Sequence, residues 1–366
     1  MIATSLVTGA LVCLVTVVVL LGVLIVGLRI VRHYRQRRQD RIVAPVRGVL
    51  LELLCAEEDE QREALDRLSE LDDRTWGALE PTVALMFGKV SGQARTALIE
   101  LFERRGATAD AVADLDRRGA VRRGRAAEVL GQLRHRPAAP PLCRLLDDRD
   151  PEVRLVAARA LGLIGEPSVV PQLLECLYGP RTVPPAVVTR ALTSFGPEAL
   201  RSIAAGLDHP EPLVRAVAIE TLGAIGGVSR TAEIASALRE DPDAEVRIRA
   251  ARALGRLGMP DGLEPLLAAV GPGQPLALRR VAAGALGSLG AVAATARLRG
   301  LLGDPDDHVA DTAARSLLRL GDVGGVELRA AADGRWGLRA AAQARAALAE
   351  SSVIGASSAH VAEVAP

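Results

Sequence analysis

Four arginines, Arg154, Arg215, Arg247 and Arg279, occupy one recurring setting, each directly after Val or Leu and three residues before an alanine. A regular row of guanidiniums can hold an anionic ligand, or it can pair with carboxylates from a neighbouring stretch of chain. Carboxylates do recur, in turns: Asp147, Asp148 and Asp150; Asp241 and Asp243; Asp304, Asp306 and Asp307. Such clusters could bind a divalent cation, but the glycine and distal glutamate of a calcium loop do not follow them. Their Asp-Pro setting ahead of apolar runs is that of helix caps, which is the role expected. The histidines His33, His135, His209, His308 and His360 are scattered, and Cys13, Cys55, Cys143 and Cys176 are isolated, so neither a zinc site nor a disulfide framework is indicated. The stretch Gly88-Lys89-Val90-Ser91 lacks the spacing of a phosphate loop. No HExxH, GxSxG or strand-to-helix GxGxxG is present. The expectation is therefore no catalytic, metal or cofactor-binding residues, and no enzyme.

The arginines and aspartates are placed by a repeat. Leu98, Leu130, Leu161, Leu192, Leu222, Leu254, Leu286, Leu317 and Leu348 follow one another at 30 to 32 residues. Four residues before each stands alanine, or valine at Val188, and one residue before stands a small or β-branched side chain. Glycine stands four residues after six of them: Gly165, Gly196, Gly226, Gly258, Gly290 and Gly321. A fixed period in this range signals a repeat array. Residues 150–177 show one unit. Asp150 caps, Pro151 fits the first helical turn, and Val153, Ala157, Ala160, Leu161 and Ile164 make one apolar face. Gly165 ends that helix, Pro167 opens the next, and the unit is a helical hairpin. Hydrophobic residues are 49% of the chain but aromatics only 2%, which suits thin, closely packed helices rather than a large globular core.

The pattern D-P-x-x-V-R-x-x-A-A-x-A-L-G-x-[IL]-G resembles the HEAT-like repeats of the phycobilisome-lyase type. It is carried by DPEVRLVAARALGLIG at 150–165, EPLVRAVAIETLGAIG at 211–226 and DAEVRIRAARALGRLG at 243–258. Copies at 275–290 and 306–321 are weaker, and the copy at 179–207 departs most, with Pro184 and Pro185 in place of Val-Arg. The resemblance implies an all-α fold, a right-handed α-solenoid of about 8–9 hairpins. It also implies that the recurring arginines form a ladder with acids of the next repeat. Residues 45–90 read as an N-terminal helical cap, 91–350 as the solenoid and 351–366 as a disordered tail. Trp76, Met86 and Phe87 supply the bulk to close the first layer.

From Ile2 to Leu28 no side chain is charged, and residues 6–28 alone would make about 34 Å of helix, enough for a hydrocarbon core of about 30 Å. A transmembrane helix is expected at 3–28, followed by a basic juxtamembrane segment at 29–44. Residues 1–41 hold six arginines against one aspartate, and the chain as a whole carries +1, so the remainder is mildly acidic. The positive-inside rule would put the N-terminus outside and the repeats in the cytoplasm, with the basic flank against anionic lipid. The function expected is a cell-membrane scaffold binding a protein partner, a membrane-associated complex, along its ribbon of second helices. An acidic body with few rings argues against nucleic acid, and no small-molecule substrate is expected. A bilin lyase-like activity and a nucleic-acid-binding solenoid are the alternatives.

Overall fold

The computed structural model describes residues 22, 29, 41–55 and 58–364, with side chains placed up to residue 352. Among the described residues every regular element is helical and no strand occurs. The chain divides into two compact units, Met1–Asp110 and Ala111–Pro366.

The first unit contains α1 (Arg47–Cys55), α2 (Glu58–Ser69), α3 (Asp73–Met86) and α4 (Gly92–Arg104). Asp72 starts α3 by accepting the Arg74 and Thr75 amides. The core is leucine and rings. Leu50, Leu53, Ala64, Leu68, Leu79 and Leu98 are buried with Trp76, Phe87 and Phe102. Phe102 takes the other two rings edge-on, each with centroids 5.3 Å away. The boundary between the units falls in α5 (Ala107–Asp114).

The second unit alternates long motif helices with short second helices. The motif helices are α6 (Ala120–Gln132), α8 (Pro151–Ile164), α10 (Pro185–Thr193), α12 (Pro212–Ala224), α14 (Ala244–Leu257), α16 (Leu276–Leu289) and α18 (Asp307–Arg319). The second helices are α7 (Ala139–Arg144), α9 (Val170–Glu175), α11 (Leu200–Ala204), α13 (Thr231–Glu240), α15 (Leu263–Ala269), α17 (Thr295–Leu301) and α19 (Asp322–Ala332). The last helix is α20 (Leu338–Val364). The repeat leucines from Leu130 to Leu317 are buried at 1% exposure or less, so the sequence period is the core period. Gly165 and Gly258 close α8 and α14 at φ 71° and 67°, left-handed geometry that suits glycine.

Neighbouring motif helices touch through a glycine that directly follows the repeat leucine. A Cβ built on Gly131 would lie 2.6 Å from the Ala160 Cα; Gly162 against Ala191 and Gly255 against Ala285 give 2.7 Å. The absent side chain is what lets these helices meet backbone to backbone. The second helices are about half as long and approach one another much less closely.

One part of the expected architecture is corrected. The all-α repeat solenoid is present, but among the described residues no helix is long and apolar enough to cross a membrane. The motif helices run 9 to 14 residues and carry charged outer faces, and the longest helix, α20, contains Arg339, Arg345 and Glu350. The span expected at 3–28 and the flank at 29–40 lie, apart from Gly22 and Arg29, outside the described residues. The placement as a single-pass cell-membrane protein, which rested on that apolar run and its basic flank, is not supported.

Candidate functional site

The recurring arginines and aspartates meet, and what they build is a staple between layers. Arg215 donates through Nε and Nη2 to both oxygens of Asp241 in the next turn, at 2.7 and 2.8 Å. Arg279 meets both oxygens of Asp304 through Nη1 and Nη2 instead, at 3.1 and 3.2 Å, and its Nε is left buried without a partner. Each of these aspartates also accepts the amide two residues on, Asp243 at 2.9 Å and Asp306 at 3.0 Å. The second aspartate of each turn caps the following helix: Asp150 takes the Glu152 amide, Asp243 those of Glu245 and Val246, Asp306 those of His308 and Val309. The acidic turns thus divide their carboxylates between a staple and a cap, and among the described residues no group of acids, histidines and cysteines is arranged to hold a metal.

The row is not uniform. Arg123, which sequence reasoning passed over, makes the same bidentate pair with Asp148 at 2.7 and 2.8 Å. Arg154 has no acid ahead of it, because the turn before α10 contains none, and it donates instead to the Asp148 and Thr182 carbonyls at 2.8 and 3.3 Å. Arg247 faces a turn of Gly, Pro and Gln, and its Nε lies buried without a partner. Where the divergent copy joins the next, His209 stands in place of the stapling aspartate, and its Nδ1 accepts the Glu211 amide at 3.0 Å. Pro185 of that copy occupies the arginine position, so the acid and its guanidinium are absent together.

The electrostatics follow from these contacts. Burial opposes ionisation of Asp148 and Asp241, but the guanidiniums of Arg123 and Arg215 and the turn amides hold both carboxyls below the usual range. Burial pushes the Cys143 thiol up to about 11 and the Cys176 thiol up to about 12, so neither is poised as a thiolate nucleophile. The Cys176 thiol donates to the Leu173 carbonyl at 3.1 Å. Cys55 is exposed, and Cys13 and His33 lie outside the described residues. Lys89 and Ser91 lie in the turn before α4, with a helix rather than a strand ahead of them. Trp76 and Phe87 are core residues, Met86 is half-buried, and Arg105 spans 5.2 Å to the Trp76 ring while donating to the Ser69 and Leu71 carbonyls.

What remains for recognition is the outer surface of the motif helices. Two residues before each repeat leucine stand Glu128, Arg159, Arg190, Glu220, Arg252, Gly284 and Arg315, all exposed or half-buried. Arginine stands at four of these seven positions, glutamate at two and glycine at one. The second helices, where the contact ribbon was expected, are the shorter elements of each hairpin.

The chain is similar to several solved structures. An engineered protein is 18% identical, with 83% of this chain and 98% of that one covered at a TM-score of 0.37. Kap95p, from a structure with RanGDP, is 16% identical, with 83% and 46% covered at 0.48. The CpcE–CpcF phycocyanin lyase complex from Nostoc is 23% identical, with 77% and 91% covered at 0.27. No curated protein matches the chain. The family of HEAT repeats matches residues 109–184 and 231–319.

Proposed function

We propose that this chain is a protein-binding scaffold, not an enzyme, and that its contact surface is the motif-helix face of the second unit. One observation carries the reading. Along α6, α8, α10, α12, α14, α16 and α18 the buried positions hold Leu and small or β-branched residues, while six of the seven positions two before the leucine carry a charged side chain, Glu at 128 and 220 and Arg at 159, 190, 252 and 315. The stack therefore fixes the backbone and leaves the outward chemistry free to suit a partner. That face is built from seven successive helices, which suits an extended protein segment better than a small substrate. The ionisable groups of the recurring motif support the same reading, because staples and caps occupy them.

The test is affinity capture with the full chain from its native cells after brief cross-linking, followed by mapping of the cross-linked positions. A stoichiometric protein partner with links to the outward positions of the motif helices is the expected result. Links confined to the second helices would move the surface. A chain that captures no protein but turns over a small molecule would overturn the reading.

A further inference from the structure

Resting on that protein-binding reading, the geometry points to a specific occupant: an extended Asp/Glu-rich segment of a partner, held in a basic groove across α14, α16 and α18. The groove arises because one layer lacks outward side chains. α16 places Gly284 and Ser288 where its neighbours carry arginine. A Cβ on Gly284 would find only the Thr312 Cγ2, at 3.5 Å. The result is a trough of about 480 Å³ with a floor of Gly255, Gly284 and Ser288. Arg252 and Arg256 of α14 form one wall, Arg319 of α18 the other, and Arg280 projects from α16 between them.

All four guanidiniums are exposed, and among the described residues Arg252, Arg256 and Arg280 have no acid partner. Arg319 lies over the floor, its Nη1 3.3 Å from both the Gly284 carbonyl and the Ser288 hydroxyl, contacts a carboxylate would replace with a stronger one. The nearby carboxylates are already engaged: Glu220 and Glu245 by Arg249, Asp311 and Glu350 by Arg315. The four cations of the groove are thus surplus charge, which favours an anionic partner.

Spacing selects an extended chain. Packed helices lie about 8–10 Å apart, and a polyproline-like segment rises about 9 Å per three residues while returning to the same face. Acids at every third residue would therefore meet α14, α16 and α18 in turn. A nucleic acid fits less well: the basic patch covers only three layers, paired acids border it, and no aromatic ring lines it for stacking.

The experiment measures fluorescence anisotropy of a labelled peptide with three Glu-Pro-Ala repeats, titrated with the full chain. A Gln-Pro-Ala peptide and an oligothymidine of similar length serve as competitors. The Glu peptide should bind, weaken as salt rises, and lose about tenfold or more in affinity with Arg252→Glu/Arg280→Glu. Arg159→Glu, on the same face but outside the groove, should leave it unchanged. Gly284→Leu should block the floor without touching the charges, and Arg252→Gln/Arg280→Gln serves if charge reversal impairs folding. Absent binding, equal binding by the groove variants, or tighter binding of oligothymidine would overturn the assignment. A captured protein partner that the charge-reversed chain retains in full would leave the scaffold standing and remove only the groove.

Discussion

The two units close their helices by opposite means. In the first, bulk fills the space: Phe102 receives Trp76 and Phe87, and Arg105 lies over the Trp76 ring. In the second, space is removed: glycine after the repeat leucine lets one motif helix rest on the small residue of the next, and arginine–aspartate staples hold successive layers. Ring packing is local and makes a single core. Glycine contact can be copied indefinitely, and each copy exposes one more outward row. The difference teaches why the second unit, not the first, presents a row of charged outward side chains layer after layer.

The comparison can be broken at either end. The largest effect is expected in the ring core, where Phe102→Ala removes both edge contacts of a fully buried side chain and should cost about 4 kcal/mol in denaturant unfolding. In the second unit, Arg215→Ala leaves Asp241 buried with its charge uncompensated and should cost about 3 kcal/mol. Asp148 and Asp241 are held below the ordinary carboxylate value, so the folded chain binds their protons less readily than the unfolded one. Their contribution is complete above the unfolded carboxylate range and is lost as pH falls through the folded values. Melting temperature should therefore drop below about pH 4, and Asp241→Asn should flatten that decline. Ala250→Leu inserts bulk at a position with 0% exposure and should cost about 2 kcal/mol. Arg154→Ala loses only carbonyl partners and should cost about 1 kcal/mol; a loss equal to that of Arg215→Ala would show that the missing acid is immaterial.

Much of this was legible in the residues. The leucine period marks the core from Leu130 to Leu317, and Arg215 and Arg279 form the ladder that the family resemblance implied. Arg154 and Arg247 do not, because a ladder needs two rungs and the turns ahead of them lack aspartate. Arg123 was hidden in a copy without the Asp-Pro signature. The glycine after five of the leucines, at 131, 162, 223, 255 and 287, reads along the chain as a weak helix former; its role appears only when the alanine or serine of the next layer is seen against it. The basic groove was invisible for a similar reason, since Arg252 and Arg319 belong to helices two repeats apart. An uncharged run and the basic segment after it suggested the membrane span, and neither says anything about packing partners.

The close contact of motif helices, with one bare row at α16, is tested most directly by a matched pair of substitutions. Gly255→Ala would place its Cβ 2.7 Å from Ala285, while Gly284→Ala meets only an ordinary contact at 3.5 Å. Equilibrium unfolding of the two variants should give opposite signs: Gly255→Ala destabilised, and Gly284→Ala stabilised by about 1 kcal/mol through helix propensity. Two changes of the same sign would contradict the packing described here, and the outward face inferred from it.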